Sequence, residues 1–191
     1  QVASGLAFLH NSKPPIMHLD VKPDNTLFAE EDNNHVVKLS GFGLSREFGS
    51  DASVSTWTVA GTQSYLPPEC LKEGTSDLKR KTHQHKHGAQ DSFAFGIMSY
   101  ELARSEPGKG LTFKEVTNDP SIGKQMLQKR TGTVAFLKKV WSSFQPIKLQ
   151  PDDSELIKSA LEIIRSVVQY DPRDRSSMSE VEERLDVLMR D

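Results

Sequence analysis

Residues 17–25 of this 191-residue chain read Met17-His18-Leu19-Asp20-Val21-Lys22-Pro23-Asp24-Asn25. The stretch offers a carboxylate at Asp20, an ammonium at Lys22 and an amide at Asn25. Phosphoryl transfer needs groups of these three kinds: a base that orients the hydroxyl nucleophile, a cation that offsets phosphoryl charge and an oxygen ligand for Mg²⁺. A polar hairpin loop with solvated charges has the same residue types, so the stretch alone leaves both interpretations open.

The residues around this stretch predict one small β-hairpin in an α+β domain that is otherwise mainly α-helical. Short strands are expected at 16–17, 26–29 and 36–39, because apolar and β-branched residues there are bounded by proline and polar clusters. The acidic and amide residues at 30–34 supply the turn of the hairpin. Residues 41–62 are rich in Gly, Ser and Thr and are interpreted as one long loop.

Helical periodicity accounts for most of the remaining sequence. The chain begins within an apolar stripe typical of a helix, and Pro14-Pro15 ends it. No capping residue precedes that helix, from which we expect the chain to be part of a longer protein. Ser177 and Glu180 form a capping-box signature before the last helix. Further helices are predicted over 93–103, 121–130, 134–144 and 153–170.

Composition narrows the class of protein. Lys and Arg number 24 against 26 for Asp and Glu, so the formal net charge is −2 and no basic surface favours nucleic acid. No apolar run approaches the ~20 residues that span a bilayer. The single cysteine, Cys70, cannot form an internal disulfide. We therefore expect an intracellular, cytoplasmic protein with neither a nucleic-acid nor a membrane partner.

Four further segments follow residues 17–25 in an order that resembles the protein kinase domain. Residues 17–25 are similar to the kinase catalytic loop. The resemblance extends over residues 1–191 and implies the large lobe of a Ser/Thr-type kinase, closest to the tyrosine-kinase-like group. The other segments are KLSGFGL at 38–44, GTQSYLPPE at 61–69, DSFAFG at 91–96 and DPRDR at 171–175.

The resemblance implies roles for residues of the catalytic and nucleotide sites. Asp20 is expected to be the catalytic base, and Lys22 to contact the terminal phosphate of ATP. Lys22 and Thr62 together indicate Ser or Thr substrates. Asn25 is expected to hold one Mg²⁺, and Leu27 to lie beneath the adenine. The residues expected to line the groove for a protein substrate are Leu66, Pro67 and Pro68.

Other matching residues are expected to support the fold more than the chemistry. Asp91 is expected to hydrogen-bond the backbone of the catalytic loop. Glu69 and Arg175 are expected to form a buried ion pair. His18 and Phe42 occupy the remaining structural positions of the motifs.

Two substitutions and one missing element depart from the kinase pattern. Gly41 stands where the family has its metal-binding Asp, and glycine brings no side-chain oxygen to Mg²⁺. Leu19 replaces the Arg that reads a phosphorylated activation loop, so we expect no switching by phosphorylation at Ser or Thr within 50–58. The 191 residues contain no Gly-rich phosphate loop and no matching Lys, the parts that belong to the small lobe.

Two functions from different classes therefore stay open. The first is a Ser/Thr protein kinase domain that uses ATP and Mg²⁺, impaired at Gly41 and inactive in these 191 residues alone, which we expect to bind neither ATP nor Mg²⁺. The second is a pseudokinase that acts as a scaffold or allosteric partner. The expected partner is a protein substrate in the first case and a regulatory protein in the second.

Residues 79–87 are interpreted as an insertion, because the kinase motifs on either side lie unusually far apart. The stretch has basic residues at 79–81 and His at 83, 85 and 87, and a Zn²⁺ or Cu²⁺ site there is the lesser alternative to a solvated insertion.

Overall fold

The computed structural model describes residues 1–31, 34–47, 60–62, 65–70, 88–104, 154–169 and 171–190. These residues are mostly helical, with small two-stranded sheets. The helices are α1 (Val2–Asn11), α2 (Ala89–Arg104), α3 (Glu155–Val167) and α4 (Met178–Leu188). The strands are β1 (Ile16–Met17), β2 (Thr26–Glu31), β3 (Asn34–Leu39) and β4 (Arg46–Glu47). The helices predicted at 121–130 and 134–144, the insertion at 79–87 and the loop residues 50–58 lie outside the described residues.

The predicted hairpin is present, and its strands are longer than the sequence indicated. β2 and β3 pair antiparallel, with Phe28 opposite Val37. They extend to Glu31 and from Asn34, so the prediction of a turn over 30–34 was wrong at both ends. Cross-strand pairing keeps these polar residues extended where single-residue preferences favour a turn.

A strand also lies within the predicted loop at 41–62. β4 pairs antiparallel with β1, with Ile16 opposite Glu47 and Met17 opposite Arg46. Two residues are too few to show periodicity, and the pairing partner is distant in sequence. The prediction of an uninterrupted loop was therefore wrong.

α2 supplies many of the buried apolar residues of the core. Its apolar residues pack against α3, while α1 packs against α4. The large apolar side chains that are less than 2% exposed come from all four helices and the catalytic loop. They are Leu6, Val21, Phe93, Ile97, Leu161, Val167, Met178 and Val181.

The helix ends follow from local side-chain chemistry. Ser154 caps α3 by accepting a hydrogen bond from the Ile157 amide, so α3 begins after Ser154 and later than the predicted residue 153. At its other end α3 stops at Val167, before the predicted residue 170. α2 begins at Ala89, ahead of the predicted 93. The predicted capping box is confirmed: Ser177 and Glu180 exchange hydrogen bonds at the start of α4.

No helix in the described parts of the chain has the length and apolarity that crossing a bilayer requires.

Gly96 sets the closeness of α2 to α3. A Cβ on Gly96 would lie 2.4 Å from Val168 Cγ2 and 2.7 Å from Val167 Cγ2. Gly96→Ala should therefore lower the free energy of unfolding, because overpacking of about 1–3 kcal/mol outweighs the roughly 1 kcal/mol gain in helix propensity. Gly43→Ala is the matched control, since a Cβ there meets nothing within 4 Å. Urea denaturation measures both variants, and equal stability of the two would contradict the packing argument.

Candidate active site

Asp91 fixes the backbone of the catalytic loop. Its carboxylate accepts hydrogen bonds from the His18 amide at 2.8 Å and the Leu19 amide at 2.7 Å. The same carboxylate lies 2.9 Å from His10 Nε2 on α1, and Asp91 itself is fully buried. Leu19 takes a φ of 66°, a left-handed conformation that costs a leucine free energy unless surrounding contacts hold it. Asp91 supplies such contacts from the first turn of α2.

Asp20 lies within a closed hydrogen-bond network. Its Oδ1 accepts from the Thr62 hydroxyl at 2.7 Å and the Thr62 amide at 3.0 Å. Its Oδ2 accepts from Asn25 Nδ2 at 2.9 Å and lies 3.0 Å from Lys22 Nζ. Lys22 Nζ also donates to Thr62 Oγ1 at 2.8 Å. The structure thus brings together four of the predicted site residues, which are 42 positions apart at most.

This network controls the ionisation of Asp20. Burial of the carboxyl acts to raise its pKa, but hydrogen bonds from Thr62, Lys22 and Asn25 act in the opposite direction. The hydrogen bonds outweigh burial, so the pKa of Asp20 lies below its ordinary value. Asp20 is therefore a carboxylate at neutral pH, ready to accept a hydrogen bond from a hydroxyl group.

Glu69 and Arg175 form a bidentate ion pair. Arg175 Nη1 donates to Glu69 Oε1 at 2.6 Å and Nη2 donates to Oε2 at 2.8 Å. Arg175 is buried, donates also to the carbonyls of Gln169 and Ala89, and stacks over the Phe93 ring at 5.0 Å. This bidentate pair, whose guanidinium is fully buried, ties residue 69 to α2 and to the residues that follow α3.

Tyr65 and Glu101 form a second link between the 65–70 segment and α2. The Tyr65 hydroxyl donates to Glu101 Oε2 at 2.8 Å. Burial raises the pKa of the Tyr65 hydroxyl, and Glu101 and Asp24 raise it further. Burial also raises the pKa of Glu101, although the Tyr65 hydrogen bond opposes that shift. The pair therefore keeps the tyrosine protonated as a donor.

The remaining predicted residues lie around this network. His18 is fully buried, hydrogen-bonds the Ser40 carbonyl through Nε2 at 2.8 Å and contacts the Phe42 ring with centroids 4.9 Å apart. Leu66 and Pro67 are buried, and Pro68 begins a 3₁₀ turn, Pro68–Cys70. Leu27 lies on β2 and is 52% exposed, so its side chain is open to a ligand.

Comparison with known proteins decides the family. The protein kinase domain matches residues 1–184. The chain belongs to the protein kinase domain family.

Curated relatives of this kinase chain include plant receptor-like kinases from Arabidopsis thaliana. A probable LRR receptor-like serine/threonine-protein kinase is 34% identical over 188 residues, which is 97% of this chain and 18% of the relative. A cysteine-rich receptor-like protein kinase is 30% identical over 182 residues, 94% of this chain and 25% of the relative. A G-type lectin S-receptor-like serine/threonine-protein kinase is 30% identical over 190 residues, which is 94% of this chain and 20% of the relative. The chain thus spans a quarter or less of the length of these relatives.

Protein kinases generally use ATP with Mg²⁺, and the residues here fit a pair of metal ions poorly. Asn25 offers Oδ1, because its Nδ2 faces Asp20. Each Asp20 oxygen already has two donors around it. A Cβ at Gly41 would lie 2.4 Å from Asn25 Cγ, so the Asn25 amide fills the space next to Gly41. Within the described residues no three His, Cys, Asp or Glu side chains cluster as a metal site. This donor set does not fit a pair of Mg²⁺ ions, which prefer carboxylate ligands.

Sequence reasoning missed three residues of this site: His10, Gln90 and Glu101. Glu101 and His10 are polar residues within apolar helical stretches, and that mismatch is a signal that could have found them. Gln90 comes directly before Asp91, and nothing in its sequence context marks it.

The Asp20 network predicts a specific loss of stability in acid. Because the folded pKa of Asp20 is lowered, its contribution is present above the unfolded value and is lost as pH falls through the folded pKa. Asp20→Asn keeps the shape of the side chain and cannot titrate. From pH 6 down to roughly pH 3, the unfolding free energy of the wild type should fall more steeply than that of the variant. Urea denaturation measures both, and parallel curves would count against the network.

Proposed function

We propose that residues 1–191 form the large lobe of a Ser/Thr protein kinase domain whose phosphoryl transfer is impaired by Gly41. The observation that carries the proposal is the contact of one carboxylate with Lys22, Thr62 and Asn25. Leu66, Pro67 and Pro68 are the proposed lining of the groove for the protein substrate, and Leu66 lines the same small cavity as Asp20.

In the proposed reaction, Asp20 acts on the hydroxyl of a Ser or Thr in a protein substrate. The hydroxyl donates to Asp20, its oxygen attacks the γ-phosphorus of ATP, and the bond to the ADP oxygen breaks as the proton passes to the carboxylate. Asp20 mainly orients the hydroxyl, because the transition state is loose and little proton transfer is needed early. Lys22 Nζ, which lies 3.0 Å from Asp20, places a positive charge where the phosphoryl group arrives.

Impairment follows from the missing carboxylate at residue 41. Loss of one preorganised electrostatic group costs about 10²–10³ in rate. The packing of Asn25 against Gly41 supports a local rearrangement as well, since a larger residue would force the amide to move. Asn25 is the proposed remaining metal ligand, and Leu27 the proposed contact of the adenine.

ATP binding by the intact kinase is proposed to need a small lobe that these 191 residues lack. The sequence holds no Gly-rich loop and no matching Lys. A small cavity beside Asp20, lined by residues such as Thr62, Tyr65 and Asp91, has a volume of about 10 Å³, enough for roughly one water molecule.

We also place the kinase inside the cell, because a sequence with a single cysteine, Cys70, suits a reducing compartment.

Titration calorimetry tests the requirement for a second lobe. The 191-residue chain should show no ATP binding with a dissociation constant below about 10 μM, or roughly −7 kcal/mol. The same titration with Mg²⁺ added should give the same result. A tighter constant would mean that this lobe alone holds the nucleotide.

Reversion of Gly41 tests the impairment. In a polypeptide that joins this lobe to an ATP-binding small lobe, Gly41→Asp should raise kcat by about 10²–10³ because it restores an anionic metal ligand. Gly41→Ala is the matched control: it adds the same Cβ next to Asn25 at a φ of 78° without a carboxylate. Radiolabel transfer from ATP to a Ser/Thr peptide is the measurement. An unchanged rate in Gly41→Asp, or an equal gain in Gly41→Ala, would remove the case for impairment at residue 41.

A noncatalytic kinase fold that works by binding a regulatory protein is the second candidate. Gly41 and the apolar, buried Leu19 favour it, because neither can serve the metal or a loop phosphate. In the Gly41 experiment this candidate predicts no phosphoryl transfer by the wild type and no recovery in the Asp variant.

A further inference from the structure

The side chain of Gln90 connects two separate parts of the segment that follows residue 59. From the first turn of α2, Gln90 Nε2 donates to the Ala60 carbonyl at 2.9 Å. Its Oε1 accepts from Cys70 Sγ at 3.5 Å. We call residues 60–62 and 65–70 the docked segment. One amide group therefore touches both ends of it.

Each end of the docked segment adjoins a contact of the active site. Ala60 is two residues before Thr62, whose amide and hydroxyl both bind Asp20. Cys70 follows Glu69, which pairs with the buried Arg175. Gln90 is thus positioned to transmit the placement of α2 to both contacts.

Gly61 shows how tightly the docked segment meets the catalytic loop. Its φ is 120°, and a Cβ would lie 2.5 Å from the Leu19 carbonyl oxygen, 3.0 Å from Leu66 Cδ2 and 3.5 Å from Gln90 Nε2. The backbone at Gly61 is therefore enclosed between the catalytic loop and the Gln90 amide. A carbonyl on one side and an amide on the other define its position.

α2 places Gln90 and Asp91 in one turn. Asp91 holds the catalytic loop through the amides of His18 and Leu19. Gln90 holds the docked segment through Ala60. The catalytic loop that carries Asp20 and the docked segment that carries Thr62 are therefore held by adjacent residues of the same helix.

We propose that Gln90 is a positioning residue that keeps Thr62 against Asp20 without any phosphate on the chain. Leu19 leaves the catalytic loop with no guanidinium to grip such a phosphate, and the Gln90 amide supplies neutral hydrogen bonds to the docked segment instead. Its consequence for catalysis rests on the proposed kinase function; the tether itself does not.

Amide hydrogen exchange and thiol alkylation of the 191-residue chain test the tether. Cys70 is the only cysteine, so alkylation reports on one site. Gln90→Ala should raise exchange of the Thr62 amide and alkylation of Cys70 by about fivefold each, the effect of losing one hydrogen bond of ordinary net strength. Gln90→Glu keeps the side-chain size and the acceptor for Cys70 but loses the donor to Ala60. It should raise Thr62 exchange and leave Cys70 alkylation unraised.

Gln169→Ala is the matched control, because Gln169 Nε2 also donates to a backbone carbonyl, that of Arg165, far from Thr62 in sequence. It should leave both readouts unchanged. The Val181 amide of α4 serves as an internal reference for overall stability. Thr62 exchange that is unchanged in both Gln90 variants would overturn the proposal, as would a rise of the same size at Val181.

Phosphoryl transfer in the two-lobe polypeptide separates the tether from the proposed function. Gln90→Ala should lower kcat with little change in the KM for ATP, because the Asp20–Thr62 contact serves the attack of the substrate hydroxyl and not the binding of ATP. An unchanged kcat would overturn the catalytic role of Gln90. If exchange responds as expected while no variant, the wild type included, transfers phosphate, the kinase function fails and the tether stands.

Discussion

The carboxylate of Asp91 makes the contacts on which the rest of this kinase chain depends. It is buried in the first turn of α2, accepts from the two amides of His18 and Leu19, and lies against His10 from α1. The hydrogen bonds to Asp91 and the surrounding core hold Leu19 in its left-handed conformation. The direction in which Asp20 points follows from that backbone. The buried first turn of α2 thus determines the geometry of the catalytic loop.

The contacts of the site differ between the part that α2 holds and the part near residue 41. Contacts that depend on α2 are complete: Asp91 with the loop, Tyr65 with Glu101, and Arg175 stacked over Phe93. The part with fewer polar groups lies near residue 41, where the three atoms nearest to a Cβ placed on Gly41 would all belong to the Asn25 amide. Fold and chemistry are therefore carried by different residues. Gly41 is compatible with the packing of Asn25 beside it and offers the site no side-chain oxygen.

Sequence reasoning recovered the hairpin, the capping box of α4 and the family, because each has a signal confined to a few adjacent residues. It also named the four residues that meet at Asp20. It could not find β4, since a two-residue strand exists only through its pairing with β1. Gln90 was missed for a similar reason: its partners at 60 and 70 lie 30 and 20 positions away. The fit of Asn25 beside Gly41 depends on a left-handed turn whose angles no residue pattern reports.

The way in which the docked segment is fastened bears on its behaviour in different ionic conditions. Its described contacts are neutral hydrogen bonds with Gln90, a part-buried hydrogen bond from Tyr65 to Glu101, a part-buried network around Asp20, and a guanidinium with no exposed surface. Dissolved ions screen exposed charges over about 10 Å at 0.1 M and act much less on enclosed ones. A segment gripped through a phosphate at the surface would loosen as ionic strength rises. The docked segment, in contrast, should keep its position from low to high ionic strength.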